Sequence, residues 1–140
     1  MKAILDTNVV ISGIFFGGHP RKIIEYAQQR IFTNVISHDI LDEYTAVVNR
    51  IAALYQNLNA SKILDSIIAA SELTFSIVPK EPVCKDPHDD KFLSAALAAK
   101  VQTIVSGDTH LKAVSGWAGI TVVSPDVFFK MLEKIRKYPL

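Results

Sequence analysis

Apolar and polar residues follow one another along this chain in blocks that predict alternating strands and helices. Short apolar runs, typical of buried strands, are separated by longer stretches with apolar residues at helical spacing. The predicted strands are residues 2–5, 33–36, 73–78, 102–105 and 120–123. Because strands that alternate with helices usually pair in parallel, the pattern predicts an α/β fold with a parallel sheet covered on both faces.

The predicted helices lie at amphipathic stretches between these strands. They cover residues 21–30, a long segment after Ser37, and residues 60–71, 86–100, 109–114 and 124–137. Ser37 is predicted to cap the second helix, in which Ile40, Tyr44 and Ile51 recur at helical spacing. Residues 17–20, with the sequence GGHP, predict a turn before the first of these helices.

Composition indicates one compact domain spanning residues 1–140. The chain is 49% hydrophobic and 21% charged, which favours a packed core over disorder. The single cysteine, Cys84, excludes an internal disulfide and suits a cytoplasmic location. No apolar run approaches the length of a membrane span, and Asp6 interrupts the first apolar run too early for a signal peptide. The net charge of +1 neither favours nor excludes nucleic acid.

Acidic stretches follow the apolar runs at positions where parallel sheets place ligand sites. The sequence DTN occupies residues 6–8, DPHDD residues 86–90 and SGD residues 106–108. The carboxyl ends of parallel strands meet at one edge of a sheet, so these carboxylates are expected to gather there. They repel one another unless a cation or protons lie between them. Because Mg²⁺ and Mn²⁺ prefer oxygen ligands, the pattern indicates a metal-dependent phosphodiesterase.

Helical geometry selects among the acids of the helix after Ser37. The apolar stripe centres near Tyr44, and Glu43 falls on its flank, where a side chain can reach the edge of the core. Asp42 points almost directly away from the stripe. Asp39 is explained as a first-turn acid that the helix dipole favours. Glu43 is therefore the candidate ligand from this helix, with an ordinary surface glutamate as the alternative.

The DPHDD sequence contains both helix-start residues and a candidate ligand. Asp86 as N-cap, Pro87 at the first helical position and Asp89 two residues later resemble a capping box. Asp90 has no capping task and is the candidate ligand. Asp89 remains the alternative, because it shares a helix face with Phe92 and turns toward packed structure.

The remaining candidates have structural explanations as well. Asp6 ends a buried strand and is a candidate ligand, although it could also cap the next helix. Asp108 follows the fourth strand and could cap a short helix, bind metal or do both. A turn or cap role is preferred for Ser37 and Ser106. The four histidines are scattered and form no H-x-x-x-H pair, which argues against a zinc hydrolase.

These motifs together resemble the PIN-domain ribonucleases, and most closely the branch related to VapC-like toxins. The motifs are DTN at residues 6–8, Ser37 followed by LDE at residues 41–43, DPHDDKFLSAAL from residue 86, and SGD at residues 106–108 followed by Leu111. The resemblance implies a three-layer α/β/α sandwich with a short parallel sheet. It also implies hydrolysis of RNA with Mg²⁺ or Mn²⁺ bound by a quartet of acids. By position the quartet is Asp6, Glu43, Asp90 and Asp108.

The resemblance also implies partners. Such a nuclease is expected to form homodimers and to be restrained by an antitoxin protein. Apolar residues available for an interface are Ile14, Phe15, Phe16 and Trp117, although core packing explains them equally well. The alternative from another class is a non-catalytic RNA-binding or scaffold module on the same fold. A dehalogenase-like phosphatase fits poorly, because it wants an aspartate where this chain has Asn8.

Overall fold

Five parallel strands form the centre of the molecule, which was analysed as a computed structural model. The structure describes residues 1–137, and residues 138–140 of the predicted domain lie outside this range. The strands are β1 (Lys2–Leu5), β2 (Thr33–Ile36), β3 (Glu72–Leu73), β4 (Thr103–Val105) and β5 (Thr121–Val123). They pair in the order β3-β2-β1-β4-β5, and helices flank the sheet. The predicted three-layer α/β/α sandwich is confirmed.

Within residues 1–137, seven α-helices connect and cover the strands. They are α1 (Thr7–Phe15), α2 (Gly18–Gln28), α3 (His38–Tyr55), α4 (Ala60–Ala70), α5 (Asp90–Ala99), α6 (Thr109–Ala113) and α7 (Pro125–Lys137). Ser37 caps α3 as predicted, because its Oγ accepts a hydrogen bond of 3.3 Å from the Ile40 N–H. Among residues 1–137, no helix is long and apolar enough to cross a membrane.

Three predicted elements differ from the structure. The predicted strand 73–78 is too long, because the chain leaves the sheet after Leu73 and the Ile77 N–H donates to the Ser94 carbonyl on α5 instead. The predicted turn at residues 17–20 is mostly helical, since α2 begins at Gly18. The helix predicted from residue 86 begins with a 3₁₀ turn (Pro87–Asp89) before α5. Helix α1 was not among the predicted elements.

The central strands are buried on both faces, as expected of a parallel sheet with helices on each side. Every side chain of β1 after Lys2 is fully buried, as are Ile104 and Val105 of β4. Strand β1 pairs in register with β2 on one side and with β4 on the other. Across the sheet the strands lie in the order β3-β2-β1-β4-β5. The chain first adds strands on one side of β1 and then on the other, so its direction reverses between β1 and β4. In open parallel sheets this switch point is where ligands bind.

Helices α1 and α2 are in close contact at Gly13. A Cβ added there would lie 2.1 Å from Ile24 Cδ1 and 2.7 Å from the Pro20 carbonyl oxygen. The Arg21 guanidinium strengthens the same contact, since it donates to the carbonyls of Gly13 and Ile14 at 3.1 Å each. Ile14 is itself 3% exposed and packs in the core, so it is not available for the interface considered above.

We expect Gly13→Ala to destabilise the fold by about 1 to 3 kcal/mol, because the new methyl group must displace packed atoms of α2. Urea unfolding followed by circular dichroism measures the change. Gly107→Ala is the matched control, since a Cβ at that glycine would have nothing within 4 Å. Equal stability of the two variants would contradict the inferred close approach of α1 and α2.

Candidate metal centre

Asp6 and Asp108 meet at the carboxyl ends of the two strands that flank the switch point. Strand β1 ends at Leu5 and pairs there with Val105, the last residue of β4. The Asp6 N–H then donates to the Val105 carbonyl at 2.9 Å, which extends the pairing by one step. Both aspartates therefore leave the sheet on the same edge, as the sequence pattern predicted.

Ser106 ties these two acids together. Its Oγ donates to Asp6 Oδ2 at 2.7 Å and accepts from the Asp108 N–H at 2.9 Å. The turn role preferred for Ser106 is thus only half of its function, because the same hydroxyl orients the Asp6 carboxylate. Asp6 is 5% exposed and makes no side-chain cap to α1, although it occupies the N-cap position. Capping therefore does not explain the Asp6 carboxylate.

Glu43 lies on the flank of α3, as helical geometry predicted. The hydroxyl of Thr7, at the start of α1, donates to Glu43 Oε2, and Lys91 Nζ on α5 lies 2.7 Å from Oε1. The lysine side chain is 15% exposed and that of Glu43 31%, so the ion pair is partly shielded from water. Asp39 and Asp42 of the same helix are exposed. Glu43 is the acid of α3 that faces the other elements.

Asp90 has a structural task that its sequence position did not reveal. Its two carboxylate oxygens accept hydrogen bonds from the backbone N–H groups of Val83 (3.0 Å) and Cys84 (2.8 Å). Partial burial acts to raise the pKa of Asp90, but these two donors outweigh it and hold the pKa below its ordinary value. From the sequence, Asp90 is the candidate ligand because it has no capping task. It has this other structural role instead, because the preceding loop folds back onto it.

Asp89, the alternative, is the member of the DPHDD sequence that faces the other acids. One ligand atom each from Asp89, Asp108 and His110 lies within 4.8 Å of the other two. Asp86 caps the 3₁₀ turn as predicted, since its Oδ1 accepts from the His88 N–H at 3.0 Å. The geometry therefore favours Asp89 over Asp90 as the fourth acid of the cluster.

The electrostatics of the cluster show that these acids repel one another. Burial and the charges of Asp89 and Asp108 together raise the pKa of Asp6 to about 6, although the hydrogen bond from the Ser106 hydroxyl acts to lower it. The pKa of Asp89 is raised by partial burial, then by the charges of Asp108 and, more weakly, Glu43. A divalent cation would relieve this repulsion. Carboxylate oxygens are the ligands that Mg²⁺ and Mn²⁺ prefer, so the donor set fits either ion.

Sequence reasoning missed three residues of this site. Thr7 and Lys91 contact Glu43, and His110 lies beside Asp89 and Asp108. Each is adjacent or nearly adjacent in sequence to an acid of the cluster, which is a usable but weak indication. Hydrophobic periodicity could not identify them, since Thr7 and Lys91 contact Glu43 from distant parts of the chain and His110 lies near the equally remote Asp89.

The fold and the acidic cluster define a class: α/β/α proteins with carboxylates gathered at the switch point of a short parallel sheet. The family model of the PIN domain matches residues 2–110, and the chain belongs to the PIN domain family. Members of this family are nucleases that use divalent metals. The matched segment contains every acid of the cluster.

Individual relatives are consistent with this assignment. An uncharacterized protein of Methanocaldococcus jannaschii, MJ1680, is 31% identical over 116 residues, which are 79% of this chain and 73% of the relative. The crystal structure of PAE2754 from Pyrobaculum aerophilum covers 96% of this chain and 90% of its own, with a TM-score of 0.67 and 14% identity. VapBC2 from Rickettsia felis, bound to a promoter DNA fragment, covers 89% and 98%, with a TM-score of 0.54 and 16% identity. At these identities the two structures show a shared fold.

We expect Asp6→Asn to stabilise the metal-free protein at pH 7.5 and not below pH 4. The folded-state pKa of about 6 lies above the ordinary value of 3.8, so ionising Asp6 costs the folded state an amount that grows between these values and is constant above them. A shift of this size corresponds to about 2 to 3 kcal/mol. Thermal unfolding in EDTA across this pH range measures the difference.

Asp65→Asn, at an exposed position on α4, is the control for removing one negative charge. It should change the unfolding temperature little at any pH in the series. A constant stability difference between wild type and Asp6→Asn from pH 4 to pH 7.5 would contradict the burial-driven cost assigned to Asp6.

Proposed function

We propose that the protein is a metal-dependent endoribonuclease whose centre is formed by Asp6, Glu43, Asp89 and Asp108. The observation that carries the proposal is the convergence of these acids at the switch point of the sheet, in a chain of the PIN domain family. The mutual repulsion of the acids supports it, because a fold keeps such repulsion where function requires it.

The acids have different roles in this proposal. Asp6 and Asp108 are the principal ligands, because they leave adjacent strand ends and Ser106 fixes their relative position. Asp89 supplies a further carboxylate ligand, and Glu43 supplies another from α3. The bound ion would supply Lewis-acid activation of water and neutralise charge on the phosphate. Asp108 Oδ1 accepts the His110 N–H at 2.6 Å, which orients the carboxylate.

The positive charge of Lys91 offsets part of the negative charge of the acidic centre before substrate binds. Its ammonium holds Glu43 in an ion pair at 2.7 Å, while Thr7 occupies the other oxygen of the same carboxylate. An open groove of about 260 Å³ is lined by Lys91 and His88 together with two acids, Asp39 and Asp90. The Lys91 ammonium beside the acidic centre suits a polyanion whose backbone must approach carboxylates. RNA is the substrate we propose for this groove.

A toxin role with a restraining antitoxin follows from the proposed activity. An unregulated ribonuclease in the cytoplasm would degrade the RNA of its own cell, so a protein inhibitor is expected. The fold shared with VapBC2 from Rickettsia felis supports this, since that structure is of a toxin–antitoxin pair. The antitoxin would cover the acidic centre of this chain.

Cleavage of a mixed RNA pool tests the activity. Purified protein should cleave RNA with Mn²⁺ or Mg²⁺ and not with EDTA. We expect Asp89→Asn to reduce cleavage by a factor of at least about 100, since an interaction with the reacting groups is lost. Asp90→Asn should instead lower the unfolding temperature, because one of the two carboxylate oxygens that accept from the loop N–H groups is replaced by an amide nitrogen.

The matched control is Asp42→Asn, which removes an exposed acid next to Glu43 and should cleave as wild type does. A single-stranded DNA pool in parallel tests the preference for RNA. Full cleavage by Asp89→Asn together with loss in a folded Asp90→Asn protein would return the ligand role to Asp90. No cleavage with any metal would favour the non-catalytic RNA-binding or scaffold module.

A homodimer is the proposed assembly, and exposed aromatic residues support it. Phe16 is 67% exposed and Tyr55 63%, and their rings meet edge to face at 6.2 Å between centroids. Exposed apolar side chains that cluster are typical of contact surfaces. Light scattering should give the mass of two chains for wild type and of one for Phe16→Ser. Phe75→Ser, at a separate exposed position, is the control and should stay dimeric. A monomeric wild-type protein would overturn the assembly.

A further inference from the structure

His110 lies beside the acidic cluster although it was not among the predicted site residues. It is the second residue of α6, directly after Thr109, and its own backbone N–H donates to Asp108 Oδ1 at 2.6 Å. A ring nitrogen of His110 and one oxygen each from Asp89 and Asp108 lie within 4.8 Å of one another. The imidazole is therefore held near two carboxylates from separate elements of the fold.

The spacing of these three groups suits one shared ion. Ligand atoms about 2.1 Å from the same cation lie up to about 4.2 Å apart, so the three groups need only a small further approach. Asp89 and Asp108 are partly buried, and the His110 side chain is exposed, so a change of its rotamer can supply this approach. The hydrogen bond from the His110 backbone N–H to Asp108 fixes the His110 backbone while the side chain changes rotamer.

The nitrogen changes which ion the site favours. Mg²⁺ binds oxygen almost exclusively and retains its waters, whereas imidazole is a good ligand for transition metals. We propose that His110 supplies a nitrogen ligand that makes the candidate centre bind Mn²⁺ in preference to Mg²⁺. This inference rests on the proposed function, because it assigns a further ligand to the same centre. It also gives the exposed histidine of α6 a role that the acids alone cannot fill.

His88 provides a matched comparison within the same region. It precedes Asp89 directly, is exposed like His110, and uses its backbone N–H in the cap made by Asp86. The group of ligand atoms found around Asp89 contains His110 and not His88. His88→Gln and His110→Gln therefore remove the same chemical group on either side of Asp89, and only the second removes the proposed ligand.

Calorimetric titration of RNA-free protein with Mn²⁺ alone and Mg²⁺ alone tests the inference. We expect His110→Gln to weaken Mn²⁺ binding by about 10-fold or more, the size found when metal-site partners are removed. Its Mg²⁺ affinity should change by less than about twofold, and His88→Gln should match wild type for both ions. Electron spin-echo spectroscopy of the wild-type Mn²⁺ complex should show coupling to a directly bound nitrogen that His110→Gln lacks.

The outcomes separate this inference from the proposed function. Metal binding that Asp108→Asn abolishes, but with equal Mn²⁺ affinity in wild type and His110→Gln, would overturn the role of His110 and leave the proposed nuclease standing. A wild-type Mn²⁺ complex without nitrogen coupling would do the same, and it needs no variant to fold. Failure of wild type to bind either ion would overturn both.

Discussion

The parallel pairing of β1 with β4 is the constraint on which the candidate centre depends. Ile4 lies opposite Ile104 and Leu5 opposite Val105, so the two strands end together. Asp6 and Asp108 can reach one cation only because of this register. A shift by one residue would turn Asp6 to the other face of the sheet, since side chains alternate along a strand. The buried apolar residues of both strands hold the register in place.

The centre works against the stability of the fold that carries it. Asp6 is nearly buried and its pKa is raised by that burial and by two neighbouring carboxylates. The fold offsets part of this cost with polar partners, namely the hydroxyl of Ser106 and the ion pair of Glu43 with Lys91. The remaining repulsion is what a divalent cation would relieve. Trading stability for a charged, constrained site is common where a protein performs chemistry.

The DPHDD sequence shows how far local reasoning extends. Capping chemistry correctly identified Asp86, because an N-cap and its N–H partner lie within two residues of each other. The same reasoning left Asp90 without a task, since the N–H groups it accepts belong to a loop that sequence patterns describe poorly. Two adjacent aspartates then differ completely in role. Asp90 holds a loop, and Asp89 faces Asp108 and His110.

The sequence by itself determined the order of the five strands and of the helices other than α1, the parallel sheet, and the presence of acids at strand ends. Periodicity and capping are local, so they can be recognised without the fold. Tertiary structure alone decided that Asp89 turns toward the centre, that Lys91 pairs with Glu43, and that His110 joins the acids. These contacts join residues that are remote in the chain, and they depend on how helices and loops pack over the sheet. Local pattern contains no information about that packing.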